Sequence, residues 1–308
     1  MQTHWGFWLG FNLFVLVMLA LDLGVFHRKS HQVRFKEALG WSAFWIALAF
    51  GFAVLIAFWQ GRQPALEFVT GYVVEESLSV DNLFVFLVLF RYFKVEPEYQ
   101  HKVLFWGIIG ALIMRGVFIL VGVQAIQRWH WIIYLFGAFL IFKGFTMLRT
   151  EGSDIEPEKN FFLRLLRRFI PVTESYEGGK FFVRRDAKRY ATPLFIVLLV
   201  VELTDVAFAT DSIPAILAIT RNAFIVYTSN VFAIMGLRSL FFALAGLMDV
   251  FHHLHYGLSA LLIFIGAKML VSEHYPIPIH IALAVVAGIL LTSIAASLLF
   301  PKKKLIGA

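Results

Sequence analysis

The chain has 308 residues, of which 60% are hydrophobic and only 15% are charged, and its mean hydropathy is +0.78. A soluble domain is about half apolar and about a quarter charged, so this composition predicts a membrane protein with several spans. The sequence contains no cysteine, which excludes disulfides, thiolate metal sites and thiol redox chemistry within the chain. Short basic loops between spans explain the net charge of +7, and we expect no nucleic-acid partner.

Nine stretches are long and apolar enough to cross a bilayer, which takes about 20 residues of α-helix. In chain order they are residues 5–26, 39–59, 66–90, 103–126, 130–148, 193–219, 223–248, 256–271 and 279–300. We therefore predict an all-α fold, a polytopic membrane helix bundle with about nine transmembrane helices.

The basic residues outside these spans are distributed unevenly. Twenty Lys and Arg residues lie in the connections after spans one, three and five and in the tail after span nine, whereas the other side carries Arg62, Arg128 and Arg221. Because cytoplasmic loops carry the excess of Lys and Arg, we predict an N-terminus on the outside and a C-terminus in the cytoplasm.

The connection from residue 150 to 192 is predicted to be a basic cytoplasmic loop. Its stretch "FFLRLLRRFIPV", residues 161–172, has the spacing of an amphipathic helix on the inner leaflet, where basic residues meet anionic lipid. A cytoplasmic linker with a solvated basic face explains the same pattern, and we assign no chemistry to it.

An internal repeat relates two groups of three spans. The segment "YLFGAFLIFKGFTML", residues 134–148, aligns without gaps to "YGLSALLIFIGAKML", residues 256–270, and upstream "EESLSVDN" matches "DVAFATDS". The alignment pairs equivalent positions: Glu75 with Asp205, Asp81 with Asp211, Asn82 with Ser212, and Arg115 with Arg238. We predict two N-terminal helices in residues 1–65, repeats in 66–149 and 193–271, and a final helix with a basic tail in 272–308.

Three spans are an odd number, so the second repeat must enter the membrane in the opposite orientation. Transporters built on inverted repeats hold their substrate near the bilayer midplane, between the repeats. Ionisable residues cluster near the centres of spans three and six and in the spans that follow them: Glu75, Glu76, Asp81, Glu202, Asp205 and Asp211, with Arg115 and Arg238.

The energetic cost of these charges indicates that they are neutralised within the membrane. At about 3 kcal/mol for each ionised group near the bilayer centre, the eight groups cost roughly 24 kcal/mol if unpaired. A typical protein is stable by about 5–15 kcal/mol. Two arginines neutralise at most two of the six acids, so a bound cation, protonation or both must balance the rest.

Oxygen ligands of this kind suit a hard divalent ion such as Mn²⁺, Mg²⁺ or Ca²⁺, bound as cargo rather than as a resident cofactor. The candidate ligands are Glu75, Asp81, Asn82, Glu202, Asp205, Asp211 and Ser212, with Glu76, Asp22, Arg115 and Arg238 in secondary positions. The pattern leaves open whether Glu75 or Glu76 is the ligand. The alternative is that the acids pair with the arginines and hydroxyls and hold the bundle together.

Helix geometry places the two acids of each repeat apart. Six residues of an ideal helix rotate by about 600°, which leaves the acids about 120° from each other. For both to face one point, we expect spans three and six to kink or unwind between their acids, and span six offers Pro214 just beyond them.

Other polar residues carry weaker signals. The "HHLH" run at residues 252–255 is compatible with a transition-metal site or with a structural role. Asp22 is compatible with a vestibule ligand or with an interfacial pair to Arg28 or Lys29. Lys143 and Lys268 lie toward span ends and are expected to snorkel to the interface.

Three motifs together resemble the TerC family, which includes the Alx proteins, over roughly residues 10–300. They are "LDLGVFHRK" at 21–29, "EESLSVDNLFVF" at 75–86 and "VELTDVAFATDSIPAI" at 201–216. The resemblance implies an inner-membrane protein that exports Mn²⁺, with an association with tellurite resistance and a description as a redox modulator. It places the family's membrane acids at Glu75, Asp81, Glu202, Asp205 and Asp211.

The sequence thus predicts a secondary exporter of divalent metal cations that works by alternating access of the two repeats. No nucleotide-binding motif is present, so we expect an ion gradient, with protons as the coupling ion, to drive transport. The rival hypothesis is a non-transporting membrane scaffold, or a protein related to redox or tellurite stress, with structural acid–arginine pairs. An enzyme is not expected, because the sequence lacks motifs such as H-E-x-x-H and G-x-S-x-G.

Overall fold

The computed structural model describes residues 5–26, 35–129, 131–149, 172–173, 176–185, 188–245, 254–271, 275 and 277–299. In these residues the chain forms nine α-helices and one β-hairpin. The helices are α1 Trp5–Phe26, α2 Phe35–Gln60, α3 Arg62–Tyr92, α4 Pro97–Arg128, α5 Ile132–Arg149, α6 Pro193–Leu217, α7 Ala223–Ala245, α8 Leu254–Val271 and α9 Ile279–Leu299. The hairpin strands are β1 Phe182–Arg185 and β2 Lys188–Ala191.

Six of the described helices, α2, α4, α5, α6, α7 and α9, are long and apolar enough to cross a membrane. Helices α1 and α8 contribute shorter apolar stretches, Trp5–Leu21 and His255–Val271, and α3 has 31 residues with the predicted acids near its middle. The prediction of an all-α polytopic membrane protein is therefore confirmed. Large apolar side chains such as Leu9, Leu13 and Leu16 are exposed, as expected for a surface that faces lipid.

The predicted unwinding between the paired acids is wrong, whereas the alternative of a kink stays a prediction. Helices α3 and α6 are continuous, and Pro214 lies in the last turn of α6, beyond both of its acids. Two hydroxyls in these helices donate to backbone carbonyls one turn earlier. Ser77 donates to the Val73 carbonyl, and Thr204 donates to the Val200 carbonyl at 2.7 Å.

Helices α3 and α6 run in opposite directions. At one end of the bundle, the Tyr176 hydroxyl, upstream of α6, donates to the Phe93 carbonyl directly after α3. At the other end, the Thr220 hydroxyl, just after α6, donates to Glu67 near the start of α3 at 2.6 Å. The end of each helix therefore lies beside the start of the other, which is the arrangement that an inverted repeat requires.

The packing between the repeats is reciprocal. Helix α3 packs on α7 and α4 packs on α6, and these two pairs are equivalent in the repeat. At the α5–α8 crossing, a Cβ on Gly137 would lie 3.0 Å from the Gly266 carbonyl, and one on Gly144 would lie 2.8 Å from the Ser259 carbonyl. Because Gly137 aligns with Ser259 and Gly144 with Gly266, each contact is the image of the other under a two-fold axis.

The remaining helices flank this unit of six. Helices α1 and α2 lie on one side, where an aromatic cluster that includes Phe11, Trp45, Phe68 and Phe232 packs them against α3 and α7. Helix α9 lies against α3 and α8. Of the six helices assigned as spans, α7 is the most enclosed, so it forms the centre of the bundle.

The segment predicted as a basic loop is partly folded. Residues 188–191 pair with 182–185 as an antiparallel hairpin, and Glu177–Gly179 form one turn of 3₁₀ helix. The predicted amphipathic stretch, apart from its last residue Val172, lies outside the described residues. Lys102 on α4 donates to the Gly179 carbonyl at 2.7 Å, so the folded part is attached to the bundle.

Candidate functional site

A buried arginine lies at the centre of the bundle. Arg115 on α4 is 1% exposed and meets Asp205 on α6 through two contacts, Nη2 to Oδ1 at 2.9 Å and Nε to Oδ2 at 3.2 Å. Its Nη1 also forms an ion pair with Glu75 on α3. This one guanidinium therefore binds a carboxylate from each repeat.

The two carboxylates are equivalent in the repeat. Glu75 and Asp205 lie near the middle of their helices, at 0% and 5% exposure. With both acids ionised, their group with Arg115 carries one net negative charge. Because the three groups are shielded from solvent, loss of Arg115 would leave both carboxylates uncompensated, and removal of one partner from a buried ion pair typically costs about 3–5 kcal/mol.

Asn230 on α7 is a fourth member of this cluster that the sequence analysis missed. Its Oδ1 accepts from Arg115 Nη1 at 3.4 Å, and the residue is 1% exposed. Its neighbours Thr228 and Ser229 are also buried, and their hydroxyls donate to carbonyls one turn earlier in α7. The polar triplet "TSN" in an otherwise apolar span was the available signal.

Several buried polar atoms around this cluster have no hydrogen-bond partner in the part of the chain that the structure describes. They are Glu75 Oε2, Glu76 Oε2, Asp211 Oδ1, the hydroxyls of Ser79 and Ser212, and the amide nitrogen of Asn230; Glu75 Oε1 is held by its ion pair with Arg115. Buried polar groups are nearly always satisfied by protein, water or an ion. The free oxygens are therefore positioned to take further ligands.

The adjacent acids Glu75 and Glu76 point to different neighbours. Glu75 meets Arg115, whereas a Cβ on Gly236 of α7 would lie 3.7 Å from Glu76 Oε1 and 3.6 Å from the Cβ of Trp45 on α2. Of the two acids, Glu75 is the one that joins the central cluster.

Glu202 occupies a space left by a glycine. Its half-buried carboxylate lies directly against Gly110 on α4, where the methyl group of an alanine would overlap it. On α6 it precedes Asp205 by three residues, so both carboxylates lie on the side of α6 that contacts α4.

Lys143 and Lys268, which were expected to snorkel, both bind protein groups. Lys143 on α5 forms an ion pair with Asp211 at 3.3 Å and lies 5.9 Å from the centre of the Phe139 ring. Lys268 on α8 is only 9% exposed and donates to the Ala218 carbonyl at 3.2 Å, at the end of α6. Both lysines therefore contact the second repeat's first helix, in which Asp205 and Asp211 lie.

The remaining candidate residues are placed as follows. Asn82, Ser212 and Arg238 are buried. Asp22 lies on α1 and Asp81 on α3, but their side chains are outside the described part of the structure.

The candidate histidines are only partly described. His252 and His253 lie outside the described residues, and His255 forms a hydrogen bond with the Met147 carbonyl. Among the residues described, no three His, Asp or Glu side chains are grouped as a metal site. The predicted metal ligand set therefore stays a prediction.

Comparisons with known proteins agree with this architecture. The family model "Integral membrane protein TerC family" matches residues 60–305. An uncharacterized membrane protein of Myxococcus xanthus is 51% identical over 96% of this chain and 92% of its own length. A protein of Escherichia coli described as "putative membrane-bound redox modulator Alx" is 45% identical over 92% of this chain and 91% of its own length.

A third relative, an uncharacterized membrane protein of Rickettsia bellii, is 40% identical over 95% of this chain and 97% of its own length. No solved structure matches the chain significantly. The family match covers most of the chain, including all six helices of the two repeats, and the relatives align over nearly their full length. The chain belongs to the TerC family of integral membrane proteins.

Proposed function

We propose that this protein is a transporter, not an enzyme, and that it exports divalent metal cations, with Mn²⁺ as the favoured cargo, across a bacterial inner membrane. The observation that carries the proposal is the meeting of Glu75 and Asp205, equivalent acids from two oppositely oriented repeats, on one buried positive charge. Secondary transporters with inverted repeats hold their substrates at this place. Carboxylate, amide and hydroxyl oxygens are ligands that suit Mn²⁺.

In the proposed mechanism, Arg115 and the cargo cation compete for the same carboxylates. When the cation enters, Arg115 leaves Glu75 and Asp205, and their oxygens become metal ligands. Further ligands come from the same two helices. They are Asp81 with Asp211 and Asn82 with Ser212, which the repeat pairs, and Glu202. The unpaired oxygens of Asp211 and Ser212 support this part of the proposal.

Transport is driven by an ion gradient, with protons returning through the same carboxylates. The sequence contains no nucleotide-binding motif, and rocking of one repeat against the other would expose the shared site to each side in turn. The excess of Lys and Arg in alternate loops supports a periplasmic N-terminus and a cytoplasmic C-terminus.

A flux assay in liposomes tests the proposal. We expect the reconstituted protein to move Mn²⁺ under an imposed pH gradient, as read by quenching of a trapped fluorophore. Asp81→Asn and Asp211→Asn should each abolish the flux while the protein remains inserted and folded. Glu98→Gln, which removes an exposed acid at the start of α4, should transport normally.

The rival function is a membrane scaffold, and one observation favours it. In the present conformation Glu75 and Asp205 are paired with Arg115, and Asp211 is paired with Lys143. Protein that never moves Mn²⁺ under any pH gradient would support this reading. A redox role, which the name of the Escherichia coli relative suggests for that protein, would here require a bound cofactor because the chain has no cysteine.

A further inference from the structure

The β-hairpin between α5 and α6 is anchored at the end of a membrane-spanning helix. Ala191 at its base is fully buried and accepts a hydrogen bond from the Thr173 N–H at 2.9 Å. Thr192, which precedes α6, donates its N–H to the Phe181 carbonyl at 2.9 Å and its hydroxyl to the Lys180 carbonyl at 2.6 Å. These hydrogen bonds fix the position of the hairpin at the start of α6.

One face of the hairpin packs against the first turn of α6. Phe182 is half exposed, and its ring lies 4.5 Å from the ring of Phe195, the third residue of α6, which is itself partly exposed. Arg184 is two residues further along β1 and so lies on the same face as Phe182, about 7 Å away. Arg189, on β2, lies directly opposite Arg184.

The two arginines are like charges on facing strands, with no counter-charge paired to them among the described residues. Directly opposite residues of antiparallel strands have Cβ atoms about 4.5–5.5 Å apart, and like charges there are destabilising. Both arginines are exposed, and neither forms an ion pair with any residue that the structure describes. The next register pair, Arg185 opposite Lys188, is also basic. An anion between Arg184 and Arg189 would remove the repulsion.

We infer that Arg184 and Arg189 bind the phosphate of an anionic phospholipid in the leaflet that surrounds the start of α6. An exposed aromatic ring beside basic residues is typical of a membrane interface, and anionic headgroups attract basic residues next to a span. The guanidinium fork suits phosphate oxygens. Because the Phe182 ring lies against Phe195 in the first turn of α6, this pair lies beside the end of a membrane span, where phospholipid headgroups are found.

Melting temperatures of the detergent-purified full chain test this inference with short-chain phosphatidylglycerol, short-chain phosphatidylcholine or inorganic phosphate added. We expect phosphatidylglycerol to raise the melting temperature more than phosphatidylcholine does, and native mass spectrometry to show it bound. Arg184→Gln with Arg189→Gln should weaken this binding roughly 30-fold, since each basic residue at the surface contributes about 1 kcal/mol. Arg62→Gln with Arg221→Gln, which removes the same charge at the opposite end, should leave it unchanged.

The variant with Arg184→Lys and Arg189→Lys should bind phosphatidylglycerol with an affinity between those of the parent protein and the glutamine pair. That result would support a phosphate site in which both the positive charge and the guanidinium geometry contribute. The inference is overturned if the glutamine pair keeps the preference for phosphatidylglycerol, or if inorganic phosphate stabilises the protein as well as the lipid does. It is also overturned if RNA or an acidic peptide binds these arginines more tightly than vesicles that contain phosphatidylglycerol.

Discussion

Replacement of Arg115 by glutamine tests whether Glu75 and Asp205 form one buried anionic site. The variant removes two contacts to Asp205 and one to Glu75, and it leaves both carboxylates without their shared counter-charge. Removal of one partner from a buried ion pair costs about 3–5 kcal/mol. Because one guanidinium here serves two carboxylates, we expect a loss near the upper end, about 5 kcal/mol.

Arg128→Gln is the matched control, because it removes the same charge from the exposed end of the same helix. The described contact of Arg128 is with the Trp129 ring, 5.6 Å away, and an exposed cation–π contact contributes about 0.5–1 kcal/mol. Thermal and denaturant unfolding of the two variants and the parent protein in one detergent would measure the difference. Equal stability of the two variants would refute the charge argument.

Divalent cations should then separate a cation site from a purely structural pair. With Arg115 gone, Mn²⁺ that binds Glu75 and Asp205 at 100 times its dissociation constant would restore about 2.7 kcal/mol. Arg128→Gln, in which Arg115 still holds the carboxylates, should gain less. If Arg115→Gln is strongly destabilised but Mn²⁺ restores nothing, the pair is structural and the proposed cargo site is wrong.

Two further predictions concern packing outside the site. Gly266→Ala should destabilise the bundle by about 1–3 kcal/mol, because the added methyl group would meet the Gly137 carbonyl across the α5–α8 crossing. Gly288→Ala, whose methyl group would enter open space on α9, should leave the stability unchanged. The free energies of unfolding of the two variants would measure the difference. Tyr176→Phe should cost about 1 kcal/mol of local stability, because it removes the hydroxyl that donates to the Phe93 carbonyl, and faster hydrogen exchange at the Thr192 N–H would show it.

The helices and their inverted relation could be predicted because the membrane constrains the sequence locally. A span must form all of its backbone hydrogen bonds internally and present apolar side chains over a fixed length. Every described helix is therefore visible in the sequence as an apolar stretch. The gapless alignment of residues 134–148 with 256–270 then predicted the two-fold relation, and the contacts of Gly137 with Gly266 and of Gly144 with Ser259 are its consequence.

The side-chain pairing could not be predicted, because it depends on how the helices are rotated and placed. Adjacent helical residues point about 100° apart, so the sequence did not tell which of Glu75 and Glu76 faces Arg115. Lys143 reaches Asp211 only because α5 packs beside α6, and charge patterns within one span contain no such information.

The hairpin was missed for a different reason. Val183 and Tyr190 favour strands, but the segment from 150 to 192 is rich in basic residues, and this composition predicted a loop over its whole length. Burial raises the pKa of the Tyr176 phenol, with a smaller contribution from the Glu96 carboxylate, so this anchor of the segment stays a neutral donor at physiological pH.

The observed pairs change the charge balance that the sequence alone suggested. The sequence predicts six acids and two arginines near the bilayer centre. Lys143, which pairs with Asp211, is a third cation, so three negative charges remain. One divalent ion and one proton neutralise three negative charges, and when the metal leaves, two more protons restore neutrality. Under the proposed function, a site that must stay neutral in hydrocarbon would therefore exchange one Mn²⁺ for two protons without net movement of charge, because unbalanced charge at the bilayer centre is costly.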